Sequence, residues 1–174
     1  MANTYTLIAS STVGAGGAAT IDFTSIPATY TDLKLVSSLR SSVSATQGFF
    51  TVKLNSTNGS EYKALYGTGS AAGSDNSTSS VYGYSSANSS TSNTFNNVEI
   101  YIPNYTSSNA KSISMDSVSE TNASAIQMNI VAGLYGSITS AVTSITLTNV
   151  NSDVAASGTF VQYSTAYLYG IKNS

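Results

Sequence analysis

The sequence predicts an all-β chain that folds as an antiparallel β-sandwich of the jelly-roll type. Apolar residues recur with a period of two along most of the chain, which indicates strands. Strong helix formers are too scarce to sustain an amphipathic helix. Turn signals separate about ten short apolar-periodic segments, the spacing typical of a sandwich or barrel.

The strands follow one another from the amino terminus with turn residues between them. Ala19, Ile21 and Phe23 alternate with polar residues, and Pro27 then fixes a turn before Leu33 and Leu35 resume the alternation. In chain order, the predicted strands are residues 4–8, 19–23, 33–35, 49–54, 61–66, 98–102, 111–118, 125–131, 144–148 and 160–171.

One stretch, residues 67–94, interrupts this periodicity with the sequence GTGSAAGSDNSTSSVYGYSSANSSTSNT. Serine, glycine, asparagine and threonine leave almost nothing to bury, so the composition predicts one long Ser/Gly/Asn-rich loop. Val81, Tyr82 and Tyr84 are its candidate anchors on a neighbouring subunit. A short edge strand within the same subunit is the alternative.

Length and composition limit the classes of function. The 174 residues fit one domain, residues 1–174 with the long loop inside it. The chain has no cysteine and no histidine, which removes disulfides, thiolate sites and every Ser-His-Asp arrangement. Its net charge is −2 with 8% charged residues, so no basic patch for nucleic acid is expected.

No motif points to catalysis or to a cofactor. Asp116 and Glu120 lie four residues apart in a strand-like segment, where two such carboxylates need not converge. The glycines of GAGG at 14–17 lack the spacing of a phosphate loop. Asp75 and Asn76 lack the spacing of a calcium loop. We therefore predict a protein that is not an enzyme and has no catalytic, cofactor or metal site.

The amino terminus, MANTYTLIASSTVGAGG, carries no cationic region followed by an apolar one. No segment reaches the length needed to span a bilayer. These features predict a protein that is made and kept in a cytoplasm, without a membrane partner.

The last predicted strand carries a row of tyrosines. Alternation places Val161, Tyr163, Thr165, Tyr167, Tyr169 and Ile171 on one face and Ala166, Leu168 and Gly170 on the other. The tyrosines could form a sugar-stacking platform, or they could be buried in the core or at a subunit contact. Because both faces are apolar or small, the pattern favours burial in the sandwich or at a subunit contact, with Tyr167 and Tyr169 as candidate interface residues.

Four segments carry a resemblance to a known family. They are IDFTSIPATYTDLKLV (21–36), EYKALYGTGS (61–70), IYIPNYTSSNAKSISMDSVSE (100–120) and FVQYSTAYLYGIK (160–172). In this order they resemble small virion structural proteins of tailed bacteriophages of the marine and cyanobacterial type. The resemblance implies a subunit of a phage particle, on the capsid or in the tail or its fibres.

We therefore expect a non-enzymatic virion protein that decorates or cements the outside of the capsid. Its expected partners are itself, as a homotrimer, and other virion proteins such as the major capsid protein. The alternative is a tail-fibre or spike module that contacts the host surface through Tyr82, Tyr84 and the long loop. An enzyme acting on carbohydrate is a third class, supported only by unplaced carboxylates.

Overall fold

The computed structural model describes residues 4–120, 126–151 and 155–172. Thirteen β-strands lie within these residues, and no helix does. The strands are β1 (Thr4–Thr12), β2 (Thr20–Phe23), β3 (Asp32–Ser38), β4 (Gln47–Leu54), β5 (Thr57–Asn58), β6 (Glu61–Thr68), β7 (Ala71–Ser77), β8 (Val81–Ser86), β9 (Asn97–Ile102), β10 (Lys111–Glu120), β11 (Ile126–Tyr135), β12 (Ile145–Val150) and β13 (Thr165–Lys172).

The strands form two sheets that pack as a β-sandwich. The large sheet has eight strands in the order β1-β13-β3-β9-β10-β11-β6-β7. The small sheet has the order β2-β12-β4-β5, and β8 also pairs with β4. All these named strand pairs are antiparallel. The predicted sandwich is confirmed, and this strand order is compatible with the jelly roll, which stays a prediction.

One row of buried residues crosses the large sheet and sets its register. Directly paired residues on six neighbouring strands form it, in the order Leu168, Leu35, Ile100, Met115, Val131 and Ala64. Each is at most 6% exposed. The small sheet covers this row with side chains that include Phe50, Val52 and Leu147. Because paired residues share a face, the row also decides which residues point outward.

All ten predicted strands coincide with observed ones, and their boundaries differ by a few residues. The predicted strand at 125–131 corresponds to β11, although Ala125 lies outside the described residues. The predicted strand at 160–171 is shorter, since β13 begins at Thr165. Val161 and Tyr163 lie in the preceding turn, where Tyr163 has a φ of 71°. Two of the six residues in the predicted row therefore lie outside the strand.

The long loop predicted at residues 67–94 is wrong, because this stretch contains β7 and β8. The edge-strand alternative, given for Val81, Tyr82 and Tyr84, fits β8, which pairs with β4 in the small sheet. β7 pairs with β6 at one margin of the large sheet. Gly69, with a φ of 57°, makes the turn between β6 and β7. A Cβ added to Gly73 would lie 2.7 Å from the Tyr66 hydroxyl, so the Tyr66 side chain would have to move. Small side chains therefore suit this edge, although they carry little strand propensity.

The segment after β8 is held by one buried cation. Arg40 is 6% exposed, and its Nη1 donates to the carbonyls of Thr91 (2.8 Å) and Thr94 (2.9 Å). Its Nη2 donates to the carbonyls of Asn88 (3.2 Å) and Ser90 (3.1 Å). A guanidinium that satisfies four backbone acceptors organises a segment that has few apolar side chains.

The closing strand generates a stability prediction at Gly170. A Cβ built there would lie 2.3 Å from Cγ of Tyr30, whose ring covers the glycine. We expect Gly170→Ala to lower the free energy of unfolding by about 1–3 kcal/mol through overpacking. Gly16→Ala is the matched control, since nothing lies within 4 Å of its added Cβ. Thermal melts of both variants test this, and equal midpoints would contradict the packing of Tyr30 on Gly170.

Candidate interaction surface

The outer face of the large sheet carries a set of exposed aliphatic side chains on three adjacent strands. We call this set the aliphatic patch: Leu65, Val118, Ile126, Met128, Ile130 and Leu134. Their exposed fractions run from 36% for Met128 to 64% for Leu65. Ile130 lies directly opposite Leu65, and Met128 directly opposite Val118, so the residues adjoin across the strands. Contiguous apolar patches of this kind mark interaction sites.

The alternation of β11 is inverted relative to an ordinary surface strand. Ile126, Met128 and Ile130 face outward, whereas Gln127 and Asn129 are 4% and 0% exposed and face the small sheet. The hydrophobic pattern alone would place the isoleucines inside. Exposing apolar side chains while burying amides costs stability in an isolated subunit. The inversion is therefore expected where the outer face meets a partner.

The buried amides are only partly satisfied. Gln127 donates to Gln47 Oε1 at 2.9 Å, and Ser117 donates to the Asn129 side-chain oxygen. Gln127 Oε1 and the Ser119 hydroxyl have no hydrogen-bond partner within the described part of the chain. Unpaired buried polar atoms typically cost about 1–3 kcal/mol each. Shifting the register of β11 by one residue would turn the amides outward and relieve this cost. Another interaction therefore fixes which residues of β11 face the small sheet.

The carboxyl-terminal half of β11 supplies that interaction. Val131 is 2% exposed within the buried row, and Tyr135 is fully buried. The Tyr135 hydroxyl donates to the carbonyl of Val52 on the small sheet at 2.8 Å. Shifting the register by one residue would turn both side chains outward. Anchoring at this end therefore keeps Ile126, Met128 and Ile130 on the outer face.

A polar strip lies beside the aliphatic patch. Lys34 and Glu99 form an ion pair at 2.6 Å, and Asp116 lies directly opposite Glu99 on the next strand. Partial burial, and then the Glu99 carboxylate, raise the pKa of Asp116, while Lys34 opposes the shift. Asp116 also lies directly opposite Ile130. A negative charge therefore borders the patch.

A shallow groove of about 580 Å³ crosses the patch toward β7. Leu65 and Ile130 line it together with the small residues Ser74, Ser114 and Ala132. Lys63, Asp75 and Asn76 also line the groove. A groove with this mixed lining can receive a side chain from a partner surface.

Tyr167 and Tyr169 lie on the outer face at the opposite side of the large sheet. Burial inside the sandwich, one of the two placements predicted for this row, is wrong for Tyr167, which is 37% exposed while Ala166 and Leu168 on the other face are fully buried. Burial of the row at a subunit contact stays a prediction. The small sheet covers only one face of β13. The Tyr169 ring meets Tyr5 edge-on at 6.4 Å, and Leu7 lies opposite Tyr169. We call Tyr5, Leu7, Tyr167 and Tyr169 the aromatic corner.

Val81, Tyr82 and Tyr84 lie within the subunit. Val81 is fully buried and Tyr84 is 7% exposed, so neither offers a surface to a neighbouring subunit. Tyr82 is half-buried and stacks on Tyr62 with ring centroids 4.3 Å apart. Its hydroxyl donates to Asp75. These residues pack β8 against β6 and β7, which corrects their proposed role as anchors outside the subunit.

The carboxylates singled out from the sequence have separate surroundings. Asp116 belongs to the polar strip, whereas Glu120 accepts hydrogen bonds from Thr91 N (3.1 Å) and Thr94 Oγ1 (2.8 Å). Both carboxylates lie on the outer face of β10, with Val118 between them. Within the described residues, no group of three or more histidine, cysteine, aspartate or glutamate side chains could hold a metal ion.

Comparison with protein-family models, with curated proteins and with solved structures finds no match for this chain. The described residues contain no helix with the length and apolarity needed to cross a membrane.

Sequence reasoning missed the aliphatic patch and Arg40. The available signal for the patch was that the set Ile126, Met128 and Ile130 is wholly apolar, which predicts a strand but also predicts that this face is buried. Nothing in the sequence distinguishes Arg40 from a surface cation, because its acceptors are backbone carbonyls 48–54 residues away.

Several phenols have raised pKa values. Burial is the largest cause for Tyr62, Tyr82, Tyr84, Tyr105 and Tyr135. For Tyr101 the largest cause is its hydrogen bond to Asp32, at 2.7 Å, which together with burial raises its pKa to about 12. The folded state therefore keeps phenolic protons that the unfolded chain loses near pH 10.

This difference predicts alkaline unfolding. The stabilisation is complete below about pH 10 and is lost as pH rises through the folded pKa values, because unfolding then releases protons. From about pH 6 to 9 the free energy of unfolding should change little, since no histidine or cysteine titrates. Tyr101→Phe should reduce the fall between about pH 10 and 12.

Urea unfolding of the wild type and of Tyr101→Phe at stepped pH, followed by circular dichroism, measures how the free energy of unfolding falls above about pH 10. The raised pKa of Lys34 adds to the fall and the lowered pKa of Lys111 opposes it, and both are common to the two proteins. Identical slopes above pH 10 would contradict the role of the Tyr101–Asp32 bond.

Proposed function

We propose that this protein is a non-enzymatic structural subunit of a tailed-phage virion that decorates the outside of the capsid. Two independent features support the proposal. The four sequence segments resemble small virion proteins of that kind, and the large sheet presents an apolar outer face. The proposed location is the virion, after synthesis in the host cytoplasm.

The observation that carries the proposal is the inverted alternation of β11. Ile126, Met128 and Ile130 are exposed while Gln127 and Asn129 are buried, and Gln127 is only partly hydrogen-bonded. Such an arrangement lowers the stability of a free subunit. The lost stability is regained when a partner covers the isoleucines. Function as a bound component of a larger assembly accounts for this arrangement.

The proposed occupant of the aliphatic patch is the capsid shell protein. Two copies of this chain that meet face to face about a two-fold axis along the row Asp116–Ile130–Leu65 would oppose their Asp116 carboxylates, and like charges there are unfavourable. A shell surface that is apolar and carries a basic side chain opposite Asp116 fits instead. The groove beside Leu65 can receive one of its side chains.

The alternative role in a tail fibre or spike relied on residues 67–94 as an exposed reading loop. These residues form β7 and β8, and Val81 and Tyr84 are buried. We therefore retain capsid decoration, and we propose a homotrimer as its assembled form.

The test is the number of copies per virion for the wild type and two variants. Purified virions should carry on the order of hundreds of copies, as expected when every repeat of a symmetric shell binds the subunit. Ile130→Lys should lower this number at least about tenfold, because burying the ammonium in the contact is unfavourable.

Tyr163→Asn is the matched control, since Tyr163 is 67% exposed, lies outside the patch, and has a left-handed backbone that asparagine tolerates. It should leave the copy number unchanged while both variants keep the wild-type melting temperature. Tens of copies or fewer in the wild type would favour the tail, and full incorporation of Ile130→Lys would contradict the patch as the contact.

A further inference from the structure

A shallow pocket of about 180 Å³ lies on the outer face of the large sheet, on β13, β3 and β9. Tyr167 of β13 forms one wall, and Val36 lies directly opposite it on β3. Thr165 and Ser38 form the next directly paired row, and Asn97 is the first residue of β9. We call this depression the tyrosine pocket.

The tyrosine pocket combines one aromatic wall with neutral polar side chains. Tyr167 is 37% exposed, and Asn97 is exposed as well. Ser38 and Thr165 are half-buried. The asparagine amide offers both donors and an acceptor, and each hydroxyl can either donate or accept. The pocket therefore presents a flat apolar ring beside groups that can hydrogen-bond to hydroxyls.

A buried amide fixes the polar end of the pocket. Asn96, which also lines the pocket, is 1% exposed. Its Oδ1 accepts from the Leu39 N–H at 2.7 Å, and its Nδ2 donates to the Tyr84 carbonyl at 2.6 Å. These bonds tie the start of β9 to the end of β3 and to β8 of the small sheet. Because the walls are held in place before anything binds, little binding free energy is needed to order them.

The charge of the pocket restricts the class of ligand. Among the described residues, none that lines the pocket is charged. Glu99 lies directly opposite Val36, and Lys34 pairs with it at 2.6 Å, so the adjoining charge is balanced. A phosphate group needs a cationic partner and a metal ion needs several carboxylates, so neither fits. A neutral ligand with a flat apolar face and several hydroxyl groups matches the lining.

We propose that the tyrosine pocket binds one ring of a neutral saccharide. The C–H face of the ring packs on Tyr167, and the sugar hydroxyls exchange hydrogen bonds with Asn97, Ser38 and Thr165. Two roles remain for the exposed Tyr167, a sugar-stacking surface and a subunit contact. A concave site with convergent hydrogen-bonding groups suits a small ligand, which favours the first role.

The tyrosine pocket and the aliphatic patch point in different directions. Four pairings separate β13 from β11. Adjacent strands of a sheet rotate by about 20–25°, so the outer face turns by roughly 80–100° between Tyr167 and Ile130. A subunit held on a shell by the aliphatic patch therefore leaves the pocket open to solvent. This inference goes beyond the proposed function and does not require it.

Saturation-transfer NMR on the isolated protein tests the proposal. The probes are the methyl glycosides of glucose, galactose, mannose and N-acetylglucosamine, and at least one should bind at millimolar concentration. Tyr167→Thr should weaken this binding at least about tenfold, because it removes the ring while it keeps strand propensity. Tyr167→Phe should bind like the wild type, since the ring remains. Asn97→Ala should also weaken binding, because it removes a hydrogen-bonding amide.

Tyr5→Thr is the matched control for Tyr167→Thr. It makes the same change at a tyrosine that is 55% exposed on the same outer face and lies outside the pocket. This variant should bind like the wild type, and thermal melts should show that both variants are folded. Binding of none of the four glycosides would overturn the proposal. Equal binding by the wild type, Tyr167→Thr and Asn97→Ala would overturn it as well.

Two further measurements separate the proposal from its rivals. If Tyr167→Thr turns a wild-type oligomer into monomers in sedimentation velocity, Tyr167 lies in a subunit contact and the proposal is overturned. Hundreds of copies per virion without glycoside binding would refute the saccharide site and leave capsid decoration in place. Glycoside binding that depends on Tyr167, in a protein present at tens of copies or fewer per virion, would support the site and refute decoration.

Discussion

The rest of the structure depends on one constraint, namely which side chains of each strand in the large sheet face the small sheet. A buried row runs from Leu168 to Ala64 across six strands, and the small sheet covers it. Directly paired residues of an antiparallel sheet share a face, so fixing this row fixes every neighbouring residue. Ile130 and Tyr167 point outward because their neighbours Val131 and Leu168 are buried. They keep this position although no described part of the subunit covers the outer face of the sheet there.

Few charges take part in holding this fold together. The chain has six basic and eight acidic residues, and the buried Arg40 and Lys111 satisfy backbone carbonyls. Most of the remaining polar contacts are backbone ladders and neutral side-chain bonds, whose strength depends little on salt. On the outer face, shape and apolar area therefore outweigh electrostatic steering for a binding partner. The local exceptions are Asp116, the Lys34–Glu99 pair and the Lys63–Glu61 pair.

The sequence predicted the class and ten strands because alternation is a local property. It predicted a loop over β7 and β8 and gave a strand around Val81, Tyr82 and Tyr84 only as the alternative. The Ala, Gly, Ser and Asn residues of β7 have little strand propensity and acquire strand structure by pairing with β6. It identified the apolar row of the closing strand but could not tell that the small sheet covers one face alone. For β11 the same pattern favours the wrong face, since the phase is set by distant contacts of Tyr135 and Val131.

Methionine oxidation tests the central claim, that the outer face of the large sheet is a contact face. Met128 lies in the aliphatic patch at 36% exposure, while Met115 is 2% exposed in the buried row and serves as the internal reference. Limited peroxide treatment followed by mass spectrometry gives the oxidation rate of each thioether in isolated subunits and in purified virions. We expect Met128 to be oxidised readily in the subunit and to be strongly protected in virions, with Met115 slow in both. Equal Met128 rates in both states would contradict the claim.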